Sequence, residues 1–128
     1  MTDFSGSWRV NLQKSKFLGP QPDHIVVEIK HVEPRLEQSM IVTTAAGEER
    51  LDCVVTIGGE ESANVIRGAD WRTKAYWEGG ELILESLVNA QAREFRFRDC
   101  WSISPEGTLV MEHRDDDLAG QRAVLDRV

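Results

Sequence analysis

Cysteine, tyrosine and proline are scarce in this chain: two, one and four among 128 residues. Two cysteines provide no disulfide framework. At this length folding buries about two thirds of the surface that the unfolded chain exposes, so neither a disulfide nor a structural metal is required for stability. Long apolar runs are absent as well, and none approaches the roughly 20 residues that a membrane helix needs. Positive charge is in deficit: Lys plus Arg number 15 against 22 Asp plus Glu, a formal net charge of -7. That balance repels nucleic acid and anionic lipid surfaces and argues against both as partners. No charged segment followed by an apolar stretch opens the sequence, so nothing directs secretion and a cytoplasmic protein is expected. What remains, 41% hydrophobic and 29% charged residues, is the composition of one globular domain over residues 1–128.

Helical periodicity is lacking too. In its place, short alternating segments recur between Gly and Pro punctuation, and they predict strands over 7–13, 24–32, 35–44, 49–57, 60–67, 70–77, 81–88, 93–103, 108–114 and 121–128. Four tight turns test the alternation, because residues opposite each other in an antiparallel pair share a face. Gly79-Gly80 sets Trp77 opposite Leu82 and Thr73 opposite Ser86. Gly58-Gly59 sets Cys53 opposite Asn64 and Val55 opposite Ser62, and Gly68-Ala69 sets Ile66 opposite Trp71 and Asn64 opposite Thr73. A three-residue loop within Ser104–Thr108, with Gly107 left-handed, pairs Trp101 with Met111 and Asp99 with His113. All four agree on one apolar inner face, which also holds all four tryptophans, while Arg, Lys and Glu interleave on the other. With no helix to cover that face, the sheet must close on itself. The expected fold is all-β: an up-and-down antiparallel barrel of about 8–10 strands with minimal helix.

The opening Phe4-Ser-Gly6-Ser-Trp8-Arg-Val, with Gly-x-Trp entering the first strand, resembles the start of lipocalins and intracellular fatty-acid-binding proteins, the calycins. The closing Ala123-Val-Leu-Asp-Arg127-Val128 resembles their last strand, where a basic residue packs over the first-strand Trp. Gly-x-Trp followed by Asn11 to Phe17, an Asn-x-x-Lys-Ser-Lys-Phe run, is similar to small bacterial lipocalin-like proteins. The resemblance implies a barrel that binds a small apolar or amphipathic molecule, shut by Trp8 and Arg127. Two departures stand out. The stretch from Lys14 to Asp23, with two prolines, has no room for the helical pair of fatty-acid-binding proteins, and the Arg-x-Tyr that holds a fatty carboxylate in their last strand is here Ala123 and Leu125.

Candidate ligand contacts follow from the inner face. Trp71, Trp77, Phe95, Phe97, Trp101 and Met111, with Trp8 beneath them, supply apolar and aromatic walls. Gln38, Asn64, Thr73, Ser86, Asp99 and His113 supply polar anchors. Lys14 to Pro22 is the expected portal or lid. A filled barrel, an interaction scaffold whose inner polar groups satisfy one another, is the competing reading. Asp99 beside His113 also permits an isomerase or lyase in which the carboxylate orients a general base, although no nucleophile is placed beside it; an enzyme is the lesser expectation. No cofactor is expected, with haem through His113 the alternative that the resemblance leaves open. His24 and His31 share no ligand spacing, so no metal site is expected. Cys53 points in and Cys100 out, which argues against a disulfide. Arg114 to Asp117 is expected to be a solvated turn. Tyr76, Ile83 and Leu87 form an outward apolar cluster, giving a monomer or weak homodimer.

Overall fold

A computed structural model describes residues 2–17, 21–58, 60–115 and 120–128. Alternating β-branched and aromatic side chains give ten strands: β1 (Gly6–Val10), β2 (His24–Val32), β3 (Arg35–Thr44), β4 (Gly47–Thr56), β5 (Glu61–Ile66), β6 (Ala69–Glu78), β7 (Glu81–Ala90), β8 (Arg93–Ile103), β9 (Leu109–Asp115) and β10 (Gly120–Arg127). They form one antiparallel sheet in the order β4-β3-β2-β1-β10-β9-β8-β7-β6-β5, curled into a nearly closed barrel. No helix occurs among the described residues. The expected barrel is therefore the observed one.

Closure joins the two ends of the chain. β1 and β10 pair with Trp8 opposite Arg127 and Val10 opposite Leu125. The Arg127 guanidinium carbon lies 4.2 Å from the Trp8 ring centroid, and its Nη1 donates to the Ser5 carbonyl at 3.0 Å. Trp8 is wholly buried, with its indole N–H donated to the Phe4 carbonyl at 3.0 Å. Gly6 has φ +138°, and a Cβ there would stand 2.6 Å from Arg127 Nη1, so the glycine of Gly-x-Trp leaves the space that the guanidinium occupies.

The turns fix register where glycine is compulsory. β6 and β7 pair Trp77 with Leu82 and Thr73 with Ser86, and β8 and β9 pair Trp101 with Met111 and Asp99 with His113, as the sequence predicts. Two registers differ from expectation. The β5–β6 turn is Arg67-Gly68, both at positive φ, rather than Gly68-Ala69, so Asn64 faces Trp71 and Ser62 faces Thr73. The slip is two residues, which preserves every face. The expected β4–β5 ladder, with Cys53 opposite Asn64, does not form; β4 and β5 are the two edges of the sheet. Side chains close the seam instead. The Asn64 amide accepts from Val54 N at 3.0 Å and donates to Val54 O at 2.9 Å, while Ser62 Oγ accepts from Thr56 N at 2.9 Å. Gly59 of the predicted turn lies outside the described residues.

One half of the barrel is solid. Phe4, Trp8, Leu36, Leu82 and Leu109 have no exposure at all there. After β1 the chain turns at Leu12–Lys14 and rejoins β10, where Lys16 bridges Arg122 and the Ser15 hydroxyl accepts from Val124 N at 2.9 Å. The outward cluster is not an open apolar patch. Ile83 is 4% exposed and lines an outer groove of about 340 Å³ whose other walls include the charged residues Glu78, Glu81, Arg98, Glu112 and Arg114. Tyr76 Oη donates to Glu85 at 2.9 Å.

Candidate functional site

The other half of the barrel is hollow. A cavity of about 650 Å³ occupies it, within the range of roughly 300–1,000 Å³ common for small-molecule sites. Gln38, Asn64, Trp71, Thr73, Ser86, Phe95, Phe97, Asp99, Trp101, Met111 and His113, which the sequence singles out, all line it. Trp77 does not. Alternation places Trp77 on the inner face but says nothing about height along the barrel axis, and its position next to Gly79-Gly80 puts it in the solid half. There it stacks on Phe4 at 5.9 Å and donates Nε1–H to Glu33 at 3.2 Å. Phe17, Val88 and Gln121 line the cavity without having been singled out. Phe17 belongs to the expected lid, of which residues 18–20 lie outside the described ones, as do residues 116 and 117 of the expected Arg114–Asp117 turn, whose first two residues continue β9 instead.

The polar groups form separate small clusters. Thr73 Oγ1 and Ser86 Oγ share a hydrogen bond of 2.9 Å, both residues buried. Cys53 Sγ lies 3.6 Å from Gln38 Oε1, and burial, then the charges of Asp52 and Asp99, push its thiol up to about 11. Asn64 is spent on the seam, so of the anchors it is the one whose amide is held by backbone. Asp99 Oδ1 and His113 Nδ1 are 2.7 Å apart on adjacent strands, each side chain about a quarter exposed to the lumen and mouth. Their ring neighbours continue along the wall: Phe97 to His113 at 4.9 Å, Trp71 to Phe97 at 5.5 Å and Phe95 to Phe97 at 6.3 Å.

Chemically, neither the Ser86 hydroxyl nor the Cys53 thiol is set up for acyl transfer. The buried Ser86 hydroxyl is engaged with Thr73, and the Cys53 thiol stays protonated until well above neutral pH, so neither is an activated nucleophile. The other cysteine, Cys100, points outward beside Glu81, and burial followed by that carboxylate pushes it up to about 12. Both cysteines are free.

A second histidine–carboxylate pair, unnoticed in the sequence, lies in the solid half. His31 Nε2 meets Glu33 Oε1 at 2.7 Å, and Nδ1 accepts from Phe4 N at 3.2 Å. Because a backbone N–H only donates, Nδ1 carries no proton and Nε2 donates to Glu33. His-x-Glu at a strand end, followed by Pro, was the available signal.

No protein-family model matches the chain, and no curated protein matches it in sequence. Solved structures match over nearly the full length. Lipid binding protein 8 of Caenorhabditis elegans superposes with a TM-score of 0.74 at 13% identity, covering 98% of this chain and 95% of that one. The fold is a calycin-like barrel. A secretory abundant heat soluble protein of Ramazzottius varieornatus gives 0.73 at 11% identity with coverage of 98% and 95%, and the REP1-NXSQ fatty acid transporter 0.69 at 14% with 97% and 95%. Among the described residues between β1 and β2 no helix occurs, and Phe17 of this stretch lines the cavity.

Proposed function

We propose that this calycin-like barrel binds one small apolar or amphipathic molecule in its interior. The observation that carries this is the cavity itself: about 650 Å³, walled by Phe17, Met40, Trp71, Phe95, Phe97 and Met111, with few polar groups. Stiff aromatic walls give a large contact area with few rotamers to freeze, and isolated polar groups fix orientation. Two of the structural neighbours carry lipid or fatty acid in their names, which agrees with an apolar cargo. The ligand's apolar body lies along Trp71, Phe95 and Phe97, and its polar end lies against Asp99 and His113. Trp8 and Arg127 serve the fold.

The test is native mass spectrometry of protein as purified and after delipidation, paired with titration of the delipidated protein by Nile red. The expected result is one Nile red molecule per chain, displaced by compounds that copurify. A protein that takes up no Nile red and carries nothing from the host would be the filled scaffold instead. A Soret band in the purified material would indicate haem on His113. The isomerase or lyase reading draws on the 2.7 Å Asp99–His113 contact at the cavity wall; turnover of a bound compound, abolished by Asp99→Asn, would establish it.

A further inference from the structure

The cavity's charge decides which polar end it accepts, an inference that rests on the binding reading above. Among the described residues that line it, the ionisable groups besides the two thiol-range and imidazole side chains are Asp52, Arg67 and Asp99. Arg67 is committed elsewhere: its Nη2 and Nε lie 2.6 and 3.0 Å from Glu49 Oε1, at the exposed β5–β6 turn. Asp52 is likewise paired, with Arg50 Nε at 3.0 Å, and both are exposed. Asp99 alone stands on the inner wall, and its partner among the described residues is the His113 imidazole. With that imidazole neutral the pair carries one negative charge, and with it protonated the pair carries none. Neither state presents the net positive charge that a buried carboxylate head requires. The part of β10 that lines the cavity offers no cation either: Gln121, Ala123 and Leu125 stand there, and Arg127 lies over Trp8, away from the lining. Across the lumen, Asp99 is among the charges that raise the Cys53 thiol, so its field reaches the opposite wall.

Beside this carboxylate runs an aromatic surface, Trp71 against Phe97 at 5.5 Å and Phe97 against the His113 ring at 4.9 Å. Ring faces attract cations through their quadrupole, most strongly where water is excluded, and a carboxylate at the end of the same surface adds a hydrogen-bond acceptor. We infer that the cavity selects amphiphiles with an ammonium head, an amine on an apolar chain or ring system, over fatty carboxylates, with Asp99 pairing the head and Trp71 and Phe97 flanking it. A carboxylate head would meet like charge in a poorly hydrated space, where the penalty is least screened.

Dodecylamine, dodecanol and dodecanoate share one tail and differ in the head, so displacement of Nile red by each at neutral pH, below its micelle concentration, isolates head selection. The amine is expected to displace the dye at a concentration roughly ten-fold or more below that of dodecanoate, with dodecanol between them. Asp99→Asn should remove most of that preference by weakening the amine and strengthening the carboxylate. Nile red uptake with dodecanoate or dodecanol displacing as well as the amine would overturn this inference and leave the binding reading standing. No uptake of Nile red or of any of the three would overturn both. A preference for the amine that survives Asp99→Asn intact would remove the assignment to Asp99; should that variant not fold, the order of the three probes on the unmodified chain still decides the inference.

Discussion

The barrel holds two copies of the same chemical device, a histidine at 2.7 Å from a carboxylate beside stacked aromatic rings, and puts them to opposite uses. In the solid half, His31 is 7% exposed and stacks on Phe4 at 5.7 Å, while the Trp77 ring lies 5.9 Å from both Phe4 and His31 and Trp101 meets Phe4 edge-on at 5.7 Å. Both ring nitrogens of His31 meet protein there: Nδ1 accepts from Phe4 N, and Nε2 pairs with Glu33 Oε1, which also accepts from Trp77 Nε1. In the hollow half, His113 and Asp99 pair on a cavity wall, each side chain about a quarter exposed. The lesson is that pair geometry alone does not mark a binding site. What distinguishes the two is whether space adjoins the pair.

The largest break in this comparison should come from Trp8→Ala, which empties the plug. It is expected to cost about 3–5 kcal/mol by chemical denaturation, with dye binding retained in the remaining folded protein, because Trp8 does not line the cavity. His31→Ala and His113→Ala sharpen the contrast. The first orphans the Phe4 N–H and should cost about 1–3 kcal/mol with unchanged dye affinity; the second should cost no more than about 0.5–1.5 kcal/mol and alter affinity instead. If the two variants behaved alike, the division into plug and lumen would fail. Trp71→Ala and Trp77→Ala form a matched pair one step smaller. Loss of the Trp71 ring should weaken dye binding roughly ten-fold, about 1.4 kcal/mol, and loss of the Trp77 ring should lower stability and leave affinity alone. The smallest effect concerns the thiols. With Cys53 raised to about 11, roughly one thiol in a thousand is ionised at about pH 8, so alkylation by iodoacetamide should be slow and should accelerate as pH climbs toward that value. Bound dye should slow Cys53 further and leave Cys100, on the outer face, untouched.

The sequence made faces legible and heights illegible. Period-2 alternation assigned the inner side of nearly every strand, and Gly79-Gly80 and Gly107 pinned two registers because a left-handed turn position there all but requires glycine. Turns without that marker were harder to read. Arg67 and the pair Gln91-Ala92 adopt φ of +52°, +51° and +62°, conformations that their side chains do not advertise. Trp77 and Trp71 share strand and face yet belong to different halves of the barrel, since nothing in an alternation pattern says where packing ends and space begins. Glu33 stands only two residues from His31, but the groups that bury the pair, the Phe4 backbone and Trp77, are remote in sequence, so the local signal did not mark it.

The Asn64 clasp has a consequence for how the protein survives at high concentration. A sheet with two ends has two rows of backbone donors and acceptors, and such rows recruit other chains. Here the edges β4 and β5 face each other, and one amide plus one hydroxyl occupy the groups between them. A side chain seated this way can be withdrawn by a single substitution, which a backbone ladder does not allow. Val65, 70% exposed on β5, then lies beside an unprotected edge. The cover over these two edges therefore rests on Ser62 and Asn64, together with the backbone bond from Gly58 N to the Ala75 carbonyl at 2.9 Å just beyond β4.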